Sequence, residues 1–261
     1  MSVDLSEAIE FAMGCARSAG EIQREKYESK DLDIDRKGRI DLVTEVDLEC
    51  ERLITELVAK KYSEHGIIAE EGTSRNPEAE YQWIIDPLDG TTNFAHGFPI
   101  FAVSIGLVVG GSPVAGVVYE PIRDEMFHAV KGGGAFMNEV KIEVSKAEAL
   151  KDSLLATGFP YDVATNPRNN IDNFRRVIME CQALRRPGAA AIDLVYVACG
   201  RLDGFWEQRL KAWDIAAGVL IVTEAGGTVT DMGGGRLDLY GETVCATNGL
   251  IHKEILGLLE P

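Results

Sequence analysis

Two carboxylates, Asp86 and Asp89, stand in the run Trp83-Ile84-Ile85-Asp86-Pro87-Leu88-Asp89-Gly90-Thr91-Thr92-Asn93-Phe94. Trp83, Ile84 and Ile85 read as a buried strand, β-branched or aromatic and bounded by a turn signal. Pro87 lacks the N–H that a central ladder needs, so the strand is expected to end at Asp86 and the chain to bend. Such a bend can present Asp86, the Leu88 carbonyl and Asp89 to one point, an oxygen cluster that hard divalent cations favour. Gly90, Thr91 and Thr92 then offer backbone N–H groups and two hydroxyls to a phosphate at a helix start. Pro, Asp and Gly are also ordinary turn residues, so this run alone does not separate a site from a turn.

Other acids fall at comparable places. Glu70 follows the short apolar run Ile67-Ile68-Ala69, and alternation along an extended chain lets one of Glu70 and Glu71 point inward. An inward Glu70 needs a cation or a proton to offset its burial. Asp47 fits a capping-box pattern with Thr44, which makes it either a cap or a group that holds a water. Asp214 sits in Trp213-Asp214 at the start of an alanine-rich helix, where free N–H groups and the helix dipole favour an acid. Five acids (Asp47, Glu70, Asp86, Asp89 and Asp214) are thus expected at strand ends or helix starts, where α/β sites assemble. Two Mg²⁺ ions sharing such ligands would neutralise a phosphate and lower the pKa of a bound water. This chemistry needs hard oxygen donors and neither histidine nor cysteine. No G-x-x-x-x-G-K-[ST] loop or G-x-G-x-x-G fingerprint is present, so nucleotide-triphosphate and dinucleotide readings have no support.

The elements that must carry these residues fill a chain of 261 residues, 46% hydrophobic and 26% charged, long enough for a sizeable core. A net charge of -16 argues against a binder of nucleic-acid backbone and means that an anionic substrate needs bound cations. Five scattered cysteines without a C-x-x-C pair argue against disulfides or zinc and for a reducing compartment. No apolar run reaches about 18 residues. The N-terminus is acidic where a signal peptide would be basic, so a cytoplasmic protein without membrane contact is expected.

Residues 4 to about 27 show helical spacing of Leu5, Ile9, Ala12, Ala16 and Ala19. Residues 29 to 39, including Lys37, read as an exposed charged loop or edge hairpin. A second helix is expected to open across 41–47. Runs at 101–109, 114–119, 125–130 and 140–144 read as an antiparallel meander, with the glycines after Lys131 as a hairpin loop. From Ser153 the pattern alternates: a strand at 154–156, a helix over 170–184, a helix from the Gly188-Ala189-Ala190-Ala191 junction to Cys199, and a strand at 203–207. A helix at 214–224, strands at 228–230 and 244–246, and a helix at 251–259 follow. The expectation is a single unit spanning 1–261 in two packed lobes, an α+β lobe to about 150 and an α/β lobe from about 151.

Glu70-Glu71-Gly72, the Asp86–Phe94 run and Trp213-Asp214-Ile215-Ala216-Ala217-Gly218 together resemble the inositol monophosphatase family, in order and spacing, over about residues 9–259. The resemblance implies an α-β-α-β-α layered sandwich, usually homodimeric, that hydrolyses phosphate monoesters with two or three Mg²⁺ ions. It implies that Glu70, Asp86 and the Leu88 carbonyl hold one metal and that Asp86, Asp89 and Asp214 hold a second, with a third near Glu70. Glu70 and Thr91, helped by Asp47 and Thr44, would orient the attacking water, and Lys37 matches the family's loop lysine. Gly90, Thr91 and Thr92 would hold the phosphate. Asp89, Gly188, Ala189, Ala190, Glu207 and Asp214 match substrate-contacting positions. Thr91-Thr92-Asn93-Phe94 looks like the inositol-phosphate branch. Ala189 and Lys211 depart from the residues common in relatives. A second phosphate, as in the related fructose 1,6-bisphosphatases, would want a basic patch such as Arg168, Arg175, Arg176, Arg185 and Arg186. A broader sugar-phosphate phosphatase and a regulatory protein-binding role are the alternatives.

Overall fold

The first helix forms because apolar and small residues recur every three or four positions: Ala8, Ala12, Ala16 and Ala19 are almost fully buried. In this computed structural model, which describes residues 3–29, 34–36 and 42–261, that helix is α1 (Leu5–Ser29). It is followed by β1 (Ile34–Arg36), β2 (Leu42–Thr44), α2 (Glu45–Lys61), β3 (Gly66–Ala69), β4 (Ser74–Arg75), β5 (Tyr81–Asp89) and α3 (Thr91–Ala95). The meander is β6 (Ala102–Val109), β7 (Ser112–Glu120), β8 (Glu125–Val130), β9 (Gly134–Met137) and β10 (Val140–Ile142). The second half holds β11 (Leu154–Thr157), α4 (Ile171–Ile178), β12 (Ala183–Arg185), α5 (Ala190–Ala198), β13 (Gly204–Gln208), α6 (Ala212–Glu224), β14 (Thr228–Thr230), β15 (Thr243–Thr247) and α7 (His252–Leu256).

Two sheets organise the chain. The larger runs β10-β9-β8-β7-β6-β5-β3-β4 and the smaller β12-β11-β13-β15-β14. One apolar cluster joins α1 and α2 to the outer face of the large sheet. A second holds α5 and α6 between the sheets, and a third packs α4 and α7 on the far side of the small sheet. The result is the α-β-α-β-α sandwich expected from the sequence. The central α6 lies close to the large sheet because paired Gly106 and Gly116 leave a flat notch. A Cβ on Gly116 would stand 2.9 Å from the Ala217 Cα, so any side chain there would push α6, and Asp214 with it, off the sheet.

Four expectations are corrected. The strand does not stop at Asp86: β5 continues through Pro87 to Asp89, because the ladder with β6 slips by one residue between Asp86↔Ser104 and Asp89↔Ala102. A bulge accommodates the missing proline donor. The expected helix over 170–184 ends at Ile178, since the backbone amides of Gln182 and Ala183 donate to the Ser153 carbonyl and β12 joins the edge of β11. The segment before α2 is strand rather than helix, with β2 paired to β1 and Thr44 as the N-cap. The meander gains β9, whose pairing to β8 and β10 supplies strand partners that its short apolar pattern does not advertise.

Candidate active site

The bulge in β5 solves a problem of parity. Side chains alternate along a regular strand, so residues three apart face opposite sides. The extra residue returns Asp86 and Asp89 to one side, and both line a cavity of about 210 Å³ with Glu70, Leu88, Gly90, Thr91, Thr92 and Asp214. Gly90 caps α3 at φ 95°, a left-handed conformation that glycine adopts without strain. A neighbouring space of about 470 Å³ shares Glu70, Asp89 and Asp214 and adds Glu207, Gly188, Ala189 and Ala190. All the metal, phosphate and ring positions expected from the sequence therefore meet at one place. Lys37 lies outside the described residues.

Backbone donors hold the acids. Asp86 Oδ1 accepts from the Leu88 N–H at 3.0 Å, and Asp214 Oδ2 from the Lys211 N–H at 2.6 Å. Asp214 is thus both a cap of α6 and a wall of the cavity. Asp89 reaches across to the start of α5, where its two oxygens accept from Ala190 N–H at 3.2 Å and Ala191 N–H at 2.7 Å. An acid at a helix N-terminus is favoured by the dipole. Asn93 ties the same elements from α3, donating to the Ile100 and Pro187 carbonyls at 2.8 Å each.

Thr91 and Asp47 form a second line of contacts. The Thr91 hydroxyl lies 2.8 Å from Asp47 Oδ1 and 3.1 Å from the Leu88 carbonyl. Asp47 Oδ2 accepts from the Thr44 N–H at 2.8 Å and from its hydroxyl at 2.5 Å. Asp47 is a cap, as its spacing allows, and it also holds Thr91 at the cavity wall.

Burial and mutual repulsion raise the acids above the ordinary carboxylate range. Burial pushes Asp86 well up, with Glu70, Asp89 and Asp214 adding to it, and a hydrogen bond joins Glu70 and Asp86. Burial pushes Asp89 and Asp214 each up to about 7, against the backbone donors that lower them. Glu207 is pushed up to about 8, first by burial and then by Asp214. Asp47 is raised by burial against its Thr44 and Thr91 hydrogen bonds. So many acids around one cavity, with oxygen donors alone, suit a hard divalent cation that would discharge the repulsion. Among the described residues no three His, Cys, Asp or Glu side chains are already gathered round one point as ligands. The donor types fit Mg²⁺.

Sequence reasoning missed the residues that fix this wall from behind. Gln23, fully buried on α1, donates from Nε2 to the Pro87 carbonyl at 2.7 Å and so pins the bulge. Glu51 on α2 accepts from the Glu71 and Thr73 N–H groups at 2.6 and 2.9 Å, holding the turn that follows Glu70. The available signal was a polar residue interrupting an apolar helical stripe: Gln23 follows Ala12, Ala16 and Ala19 at helical spacing. Asp193 on α5, 1% exposed, was also missed, and burial followed by Glu207 pushes its carboxyl well up. Glu51→Gln leaves one of the two amides facing an NH₂ group. It is expected to raise the Mg²⁺ needed for half-maximal activity about ten- to a hundredfold, measured by Mg²⁺ titration, with kcat at saturating metal little changed. Gly158 must stay small for a different reason: a Cβ there would stand 2.2 Å from both Glu207 carboxylate oxygens. Gly158→Ala should displace Glu207 and raise KM about tenfold or more, read from initial rates with the melting temperature as control.

The layered α+β sandwich thus carries an acid-lined cleft beside a Gly-Thr-Thr helix start. The chain belongs to the inositol monophosphatase family, whose family model matches residues 4–260. It is 48% identical over 224 residues to an inositol-1-monophosphatase of Synechocystis, covering 85% of this chain and 78% of that one. It is 43% identical over 259 residues to a protein of Pasteurella multocida named Nus factor SuhB, covering 98% and 97%. The solved inositol monophosphatase of Anabaena superposes with a TM-score of 0.89 at 38% identity, covering 98% of this chain and 96% of that one. The fold of the family and support for phosphatase activity follow. Among the described residues, no helix is long and apolar enough to cross a membrane.

Proposed function

We infer that the protein hydrolyses a phosphate monoester, inositol 1-phosphate above others, with Mg²⁺. The observation that carries this reading is the bulge that turns Asp86 and Asp89 to one cavity with Glu70 and Asp214, beside the Thr91–Asp47 contact. Glu70, Asp86, Asp89, Asp214 and the Leu88 carbonyl would hold the ions. When bound, Mg²⁺ neutralises phosphate charge and acidifies water. Gly90, Thr91 and Thr92 bind the phosphate. The Thr91 hydroxyl donates to Asp47 Oδ1, so its lone pairs turn to the cavity and orient a water that donates to Oγ. A proton leaving that water passes to Thr91 Oγ as Thr91 passes its own to Asp47. Burial makes Asp47 a stronger base than an exposed aspartate, which favours this transfer. Glu70 orients the same water. Glu207, Asp214 and the Gly188–Ala190 wall hold the ring, and Glu207, raised to about 8, can both donate to and accept from a hydroxyl at neutral pH.

The reading carries a cytoplasmic homodimer, which size-exclusion chromatography with light scattering would test. Arg186, on the wall of both cavity spaces, supports the alternative of a second substrate phosphate. The name of the Pasteurella relative supports another alternative, a regulatory protein-binding role. Phosphate release from inositol 1-phosphate and fructose 1,6-bisphosphate, side by side, separates them. Preference for the monophosphate is expected. Equal or better use of the bisphosphate would move the substrate to the second class, and no turnover of either, with a stoichiometric protein partner in a pull-down, would favour the regulatory role.

A further inference from the structure

The helix that begins at the acid-lined cavity ends at a different one. The C-terminal half of α6 contributes Val219, Leu220, Thr223 and Glu224 to a space of about 340 Å³, within the range of small-molecule sites. Its other walls are Gly111 of the turn between β6 and β7, Pro113 at the start of β7, the β14 residue Val229, and Leu237 and Leu239 from the segment before β15. This is the margin of the central helical layer: Val219, Leu220 and Leu239 are buried and Val229 and Leu237 half-buried, and together they make an apolar floor.

Two cations stand on that apolar wall, Lys131 and Arg236, both exposed. Among the described residues neither has an ion-pair partner, in a chain whose net charge is -16. The one acid in the lining is already engaged: Glu224 accepts from the Gly132 N–H at 2.7 Å and the Gly134 N–H at 2.9 Å. Those bonds anchor the β8–β9 turn and set Lys131 at the rim. An apolar floor with two cations at its mouth against a single carboxylate, itself tied to backbone amides, matches a ligand with an apolar body and an anionic head.

We propose that the cavity between the end of α6 and Leu237–Leu239 is a binding site for a small amphiphilic anion of the medium-chain carboxylate class, held by Lys131 and Arg236. The site is separate from the acid-lined cavity and does not depend on the reaction assigned there.

The test is isothermal titration of the whole protein with sodium octanoate below its micellar concentration. Saturable one-to-one binding is expected, roughly millimolar or tighter for so small a ligand. Lys131→Glu with Arg236→Glu should weaken it roughly tenfold, while 1-octanol binds both proteins alike. Thr223→Trp, which puts an indole into the cavity mouth from an exposed position, should abolish it. If the double charge reversal lowers the melting temperature, Lys131→Gln with Arg236→Gln removes the charges more gently and should still weaken octanoate severalfold. No saturable binding, binding unmoved by removal of both charges, or binding unmoved by Thr223→Trp would each overturn the proposal.

Discussion

Asp89→Asn is expected to lower phosphate release by about two to three orders of magnitude while the protein stays folded. In its proposed role the carboxylate has three tasks, and asparagine meets only part of one. It would give up the negative charge that a second Mg²⁺ needs beside Asp86 and Asp214, and it would keep one acceptor oxygen for the Ala190 and Ala191 amides that now have two. It also loses the acceptor for a substrate hydroxyl. The fold should survive because the substitution removes like-charge repulsion from Glu70, first among the charges that raise Asp89. Circular dichroism and thermal melting without Mg²⁺ should match or exceed wild type, while the shift in melting temperature on adding Mg²⁺ shrinks. An unfolded variant would make the Asp86–Asp89 bulge a structural turn and nothing more.

The second large effect is a link between pH, Mg²⁺ and stability. Asp89 and Asp214 are pushed from 3.8 to about 7 and Glu207 from 4.5 to about 8, chiefly by burial. Each is raised above its unfolded value, so the folded chain binds more protons between those limits. Stability from this source is complete below the unfolded values and is lost as pH rises to the folded ones. Metal-free protein should therefore melt at steadily lower temperature from about pH 5 to pH 8. Mg²⁺ bound as proposed would take the place of the protons, so it should raise the melting temperature by more at pH 8 than at pH 5. Differential scanning fluorimetry over that range, with EDTA or with Mg²⁺, checks both halves. A metal-free protein that is most stable at pH 8, with an equal Mg²⁺ effect at both ends, would mean that the acids are not gathered as described.

Much of the site was legible because its chemistry is local. Asp86, Asp89, Gly90, Thr91 and Thr92 lie within seven residues, and acids at strand ends or helix starts mark Glu70 and Asp214. Most of the individual strands and helices follow from apolar periodicity and turn residues, and the layered sandwich from the family resemblance, whereas the strand order within each sheet is set by pairings that no local pattern carries. What stayed hidden depends on contacts across the chain. The bulge that aligns Asp86 with Asp89 exists only against β6, so proline alone suggested a strand end. Gln23 reaches Pro87 across 64 residues and Glu51 reaches the turn after Glu70 across about 20, and neither distance leaves a local pattern. The residues 170–184 carried a helical pattern to the end, but the Ser153 carbonyl and the edge of β11 claimed the last part.

The most direct test of the account is phosphate release from inositol 1-phosphate by protein dialysed against EDTA, before and after Mg²⁺ is restored. Release is expected to be negligible without the metal, to recover fully with it, and not to recover in Asp214→Asn. Undiminished release in EDTA, or full Mg²⁺-restored activity in Asp214→Asn, would contradict it.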